Sequence, residues 1–124
     1  MTIHPTLRYD DPKAAIAFLT DALGFVEQHV SMAADGSVGH AELSYGDGVV
    51  MIGTRRGSDP FDTGRAVLYV VADDVDAHHA RAVSAGATVV QEPVDQPYGS
   101  REYAVSDPEG NLWSVGTYRP PVQP

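Results

Sequence analysis

The chain has 124 residues, 43% hydrophobic and 20% charged, with no cysteine and a formal charge of −9. That length fits one domain able to bury about two-thirds of its unfolded surface without a staple; the lack of Cys excludes a disulfide framework, a thiolate metal site and a cysteine nucleophile. A single Lys, Lys13, among eight basic residues argues against nucleic acid, and no apolar run is long enough to span a membrane, so the default expectation is a cytoplasmic protein with a small-molecule or protein partner.

In chain order, the pattern predicts a strand over 3–9 and then a helix. Asp10 or Asp11 caps that helix, Pro12 suits its first turn, and Ala15, Ile16, Phe18, Leu19, Ala22 and Leu23 form its apolar stripe. Gly24 takes the left-handed position after it. Strands follow over 25–31, 39–45 and 49–54, the last two joined by Gly46-Asp47-Gly48. Residues 55–64 carry loop chemistry and read as a crossover linker. The order then repeats with a strand over 66–72 and a helix capped by Asp73 or Asp74, with Val75, Ala82, Val83 and Ala85 as a thinner stripe. Strands over 87–91, 101–106 and 111–118 complete it. Gly86 lies 62 residues beyond Gly24, and Gly110 lies 62 beyond Gly48. Each half is βαβββ, giving an α+β domain over 1–118 made of modules 1–54 and 65–118. The stretch 93–100 reads as irregular, a candidate lid, and the proline-rich 119–124 as a frayed tail.

Two βαβββ modules resemble the vicinal oxygen chelate superfamily, the group of glyoxalases, bleomycin-resistance proteins and extradiol dioxygenases. The resemblance is carried by Ala22-Leu23-Gly24-Phe25 and by Tyr98-Gly99-Ser100-Arg101 leading to Asp107-Pro108-Glu109-Gly110-Asn111-Leu112-Trp113. It looks most like the small branch labelled glyoxalase-like or PhnB-like. It implies a cup-shaped mixed sheet, a homodimer and, in the metal enzymes, one ligand on the first and one on the last strand of each module. The 62-residue period matches those positions to His4, Ile52, Ala66 and Ser114. Only His4 is a good ligand for a divalent metal, so no metal is expected there.

With His4 facing the cup, alternation predicts a lining of Thr6 and Arg8, then Val50, Ile52 and Thr54, then Ala66, Leu68 and Val70, then Leu112, Ser114 and Gly116. On the third strands His40, Glu42 and Ser44, with Glu102 at the repeat position, face the same way. His40, Glu42 and Glu102 are the candidate catalytic residues, since a His beside a carboxylate can act as a general base. The alternatives are a displaced site for Zn, Ni, Fe or Mn, or simple mutual pairing of polar groups, including pairing with Arg8 or Arg101. Tyr98, Tyr103 and Phe61 offer an aromatic wall, and Arg101 either anchors the Asp107 turn or clamps an anion. Of His78 and His79, one is expected to be semi-buried and the other solvated.

There is no phosphate loop, dinucleotide fingerprint, HExxH or GxSxG. Two functions remain. The first is metal-independent binding of a small, antibiotic-like molecule, aromatic or cationic, by Arg8, His40, Glu42, Ile52, Leu68, Tyr98, Arg101, Glu102, Tyr103 and Ser114. The second is a lyase, isomerase or dioxygenase acting on vicinal oxygens through a metal or a His and Glu pair.

Overall fold

The structure, a computed structural model, describes residues 2–123. The chain divides into two compact units, Met1–Gly64 and Arg65–Pro124. The first runs β1 (Thr6–Tyr9), α1 (Pro12–Asp21), β2 (Val26–Met32), β3 (Val38–Tyr45) and β4 (Gly48–Thr54). Its strands are ordered β1-β4-β3-β2, with β1 parallel to β4 and the other pairs antiparallel. The second runs β5 (Val67–Val71), α2 (Val75–Ser84), β6 (Thr88–Asp95), β7 (Arg101–Ser106) and β8 (Leu112–Gly116), ordered β5-β8-β7-β6 with the same senses. Both units are therefore the expected βαβββ module.

Local chemistry explains the helix ends. Asp11 accepts the Ala14 amide at 3.1 Å and Asp74 the Ala77 amide at 3.0 Å, so these two are the caps rather than Asp10 and Asp73. Gly24 and Gly86 follow the helices at φ 81° and 85°, a conformation that favours glycine. In the first unit Ala15 and Leu19 of α1 bury with Tyr9, Ala41, Leu43, Val50 and Ile52. In the second, Val75 and Ala82 of α2 bury with Val70, Tyr103, Val105, Trp113 and Val115. The thinner stripe of α2 is supplemented by histidines. His78 Nδ1 lies 2.5 Å from the Tyr103 hydroxyl, and the His79 ring stands edge-on to the Tyr103 ring at 5.2 Å. Both histidines are half-buried, so neither is the solvated one expected.

The period of 62 does not hold along the whole chain. The cross-strand core partners Leu43 and Val50 are seven residues apart, whereas their counterparts Val105 and Trp113 are eight apart. The extra residue sits in the turn. Ser44 pairs with Val49 around the four residues 45–48, while the five residues Asp107 to Asn111 intervene between their counterparts Ser106 and Leu112. Asp107 organises this longer turn: its carboxylate accepts from the Glu109 and Asn111 amides, from Asn111 Nδ2 and from Trp113 Nε1, all between 3.0 and 3.1 Å.

A one-residue change of register moves a side chain to the other face of the sheet. Thr6 is aligned with Met51 in β4, and Tyr69 with Ser114 in β8. The position equivalent to Ser114 is therefore Met51, not Ile52. By continuing the alternation, the position equivalent to His4 is Val67, not Ala66. Ile52 is 1% exposed and paired with Ala41 on the helix side, and Leu68 is aligned with buried Trp113. Ile52, Ala66 and Leu68, with Val50, Thr54 and Val70, thus belong to the helix-side faces.

The irregular stretch expected at 93–100 is shorter. β6 continues to Asp95, with Val94 paired to Glu102 and Asp95 to Arg101, accommodating Pro93 through register shifts. Only a tight turn remains, closed by Gln96 N to Ser100 O at 2.7 Å, with Gly99 at φ 91°. Residues 119–123 carry no regular structure, although Arg119 pairs with Asp73. No helix among the described residues is long and apolar enough to cross a membrane.

Candidate functional site

The face of the first sheet away from α1 carries Thr6, Arg8, His40, Glu42, Ser44 and Met51, as the register requires. His40 Nε2 lies 2.8 Å from Glu42 Oε2, with the two side chains 43% and 41% exposed. The bond from His40 holds the Glu42 carboxyl below its usual range, against partial desolvation, with smaller contributions from the charges of His29 and His4. His29 is the β2 partner of Glu42, and its ring centroid is 6.5 Å from that of His40. His29 escaped the sequence reading because a bulge between Glu27 and His29 shifts the β2 alternation.

Arg8 also faces this side, but its charge is taken up by the loop after β4. Nη1 lies 3.2 Å from Asp59 and 3.3 Å from Asp62, and the guanidinium stands 5.5 Å from the centroid of the Phe61 ring. Desolvation opposes the charged form of Arg8, yet the two carboxylates raise its pKa overall. Asp62 Oδ2 in turn accepts the amides of Arg56 and Gly57 at 2.9 and 2.8 Å. Residues 55–64 are thereby folded onto the first unit.

The open face of the second sheet carries Val67, Tyr69, Glu102, Ala104, Leu112, Ser114 and Gly116. Tyr98, in the turn before β7, donates its hydroxyl to Glu102 at 2.7 Å. Tyr103 does not line this face. It is fully buried beneath α2, because odd-numbered residues of β7 point to the helix. Arg101 is on that side too: it pairs with Asp76 of α2 at 3.0 Å and Asp95 of β6 at 3.1 Å, rather than with the Asp107 turn. Tyr69 was missed because β5 reads Val-Leu-Tyr-Val-Val, with no polar residue to mark its outer face.

Two βαβββ modules in one chain, each with a sheet face left open by its helix, define a class of α+β fold. A family profile for the glyoxalase/bleomycin resistance protein/dioxygenase superfamily matches residues 2–115, and the chain belongs to that family. An uncharacterised protein of Mycobacterium bovis is 34% identical over 123 residues, spanning 92% of this chain and 81% of that one. The crystal structure of TioX from Micromonospora sp. ML1 is similar, with a TM-score of 0.81 and 32% identity over 96% of this chain and 99% of TioX. Glyoxalase I from Zea mays shares the fold, with a TM-score of 0.77 at 20% identity over 94% of this chain and 44% of the maize chain.

The register of the two sheets shifts the metal-enzyme positions implied by the family resemblance. They are occupied by His4, Met51, Val67 and Ser114. Valine has no lone pair, a thioether is a soft donor and a neutral Ser is a weak one, so this set does not fit a hard divalent ion. Among the described residues no group of three or more His, Cys, Asp or Glu side chains is arranged to hold one.

Proposed function

We propose that this protein binds and sequesters a small organic molecule on its open sheet faces, without a metal cofactor and as a homodimer. The observation that carries the reading is the donor set in its true register: His4 alone would serve a hard metal, while the same faces present His40, Glu42, Glu102 and Tyr98 to a ligand. Such a mixture of a few polar groups with Met51, Leu112 and Val67 is the make-up of an organic binding surface. In a thermal-shift screen of planar aromatic and amine-bearing compounds, a ligand at 100 times its Kd adds about 2.7 kcal/mol of stability. Metal analysis of protein purified without a chelating tag is expected to give less than about 0.1 equivalent. Near-stoichiometric metal that disappears in His4→Ala would overturn the reading, as would a screen in which no compound moves the melting temperature.

A second reading is favoured by one contact. Glu42 holds His40 through Nε2, which leaves Nδ1 to take a proton from a carbon next to a carbonyl. The chain would then be an isomerase or lyase on substrates with vicinal oxygens. Incubation with hydroxyketones in deuterium oxide tests this by proton NMR: label entering the carbon-bound position, and lost in His40→Ala, would establish it.

A further inference from the structure

On the open face of the second sheet, Glu102 stands between two tyrosines that the fold leaves accessible. Tyr98 is 64% exposed, and its hydroxyl donates to Glu102 Oε1 at 2.7 Å. Tyr69 is 38% exposed and donates its hydroxyl to the Tyr118 carbonyl at 2.7 Å. Tyr69 and Glu102 converge over Gly116, which is paired with Glu102 in the sheet. A Cβ at Gly116 would lie 2.6 Å from the Tyr69 hydroxyl oxygen and 2.7 Å from Glu102 Cγ. The missing side chain is what lets a carboxylate stem and a phenol ring occupy one spot.

The electrostatics of this corner are one-sided. Partial burial raises the Tyr69 pKa and the bond to Glu102 raises that of Tyr98, so both phenols stay neutral and the local charge is that of the carboxylate. Among the described residues no Lys, Arg or His forms an ion pair with Glu102. Tyr98 engages Oε1, leaving Oε2 for another donor. A single carboxylate is too small a donor set for a metal ion, but a carboxylate flanked by aromatic rings suits an organic cation, whose charge is attracted to both.

We propose that Glu102, Tyr98 and Tyr69 form a subsite for an alkylammonium group, a protonated amine or a quaternary ammonium, carried by the ligand. This rests on the small-molecule-binding reading and names the part of the ligand that the second sheet takes. The test is an NMR titration of the full chain with choline and with its neutral isostere 3,3-dimethylbutan-1-ol, alongside the neutral planar probe 2-naphthol. Choline is expected to bind at least tenfold more tightly than the alcohol and to shift the amides of residues 98–102 and 116. Glu102→Gln, a near-isosteric change at a half-exposed site, is expected to weaken choline at least tenfold and the alcohol less than twofold. Tyr98→Leu should weaken choline several-fold while leaving the carboxylate in place. Equal affinity for choline and the alcohol, or choline binding untouched by Glu102→Gln, overturns the assignment. If 2-naphthol binds and choline does not, the ammonium subsite falls and the binder reading stands; if no probe binds, both fall.

Discussion

Changing Ile52 or Met51 to Gln tests which face of β4 each occupies. Ile52 is 1% exposed and packed with Ala41 beneath α1, whereas Met51 is half-buried on the open face, aligned with Thr6 and Glu42. Ile52→Gln forfeits a large part of a buried aliphatic side chain, for which truncation costs about 2–5 kcal/mol. It also buries an amide for which the helix side offers no evident partner, adding about 1–3 kcal/mol. Because the Gln stem refills part of the space, the expected net loss is about 3–5 kcal/mol, a large share of the ~5–15 kcal/mol typical of a domain. At about 4 °C per kcal/mol for a chain of this size, the melting temperature falls by about 12–20 °C. Met51→Gln keeps its amide in water and should cost less than about 1 kcal/mol. Urea titration with a circular dichroism readout measures both. An Ile52→Gln protein as stable as the parent, or a Met51→Gln protein as damaged as expected for Ile52, would refute the register and with it the assignment of Met51 to the ligand position.

Asp107→Ala strips partners from Asn111 and the Trp113 indole and should cost about 3 kcal/mol, seen as a lower urea midpoint. Tyr103→Phe removes the hydroxyl that meets His78 and should cost about 1 kcal/mol by the same assay, with no change in affinity for any ligand of the open faces. Asp59 and Asp62 are both held below the usual carboxylate range, Asp59 chiefly by the Phe61 amide, Asp62 by the Arg56 and Gly57 amides and Arg8 against desolvation. The stability they contribute is therefore complete above their unfolded value of about 3.9 and is lost as pH falls through their lower folded values. The Arg56 and Gly57 amide signals should stay constant from neutral pH to about pH 5 and move only below about pH 4; movement near pH 6 would count against the clamp.

The architecture was legible because its signals are local and repeated. Asp11 and Asp74 ahead of apolar stripes, Gly24 and Gly86 behind them, and paired turns at Gly48 and Gly110 each specify an element without reference to the rest of the chain. The faces were harder. A strand such as β5, apolar throughout, gives no cue to its orientation, and one extra residue in the Asp107 turn inverts the positions carried from β4 to β8 by a fixed period. That residue put Ile52 where Met51 belongs; β1 and β5 precede the turn, and there Thr6 answers to Tyr69 rather than to Leu68, which took Ala66 and Leu68 out of the expected lining and hid Tyr69. His40, Glu42 and Glu102 were placed correctly because the period does hold between β3 and β7, where Ala41 and Leu43 match Tyr103 and Val105. Arg8 and Arg101 show a different limit: their faces or spacings say nothing of the acidic residues that occupy their guanidinium groups.

The attachment of residues 55–64 to Arg8 decides where this polypeptide could be divided. A gene cut after Thr54, the end of β4, would leave the first half without Asp59 and Asp62 and expose an uncompensated guanidinium, while the second half would begin with a segment severed from the arginine it binds. A cut between Gly64 and Arg65 keeps the Arg8 ion pairs and the Arg55 to Thr63 bond in the first half and the Ala66 to Asn111 bond in the second. For split reporters, circular permutants or module exchange among relatives, Gly64–Arg65 is the seam that the chemistry of the chain provides.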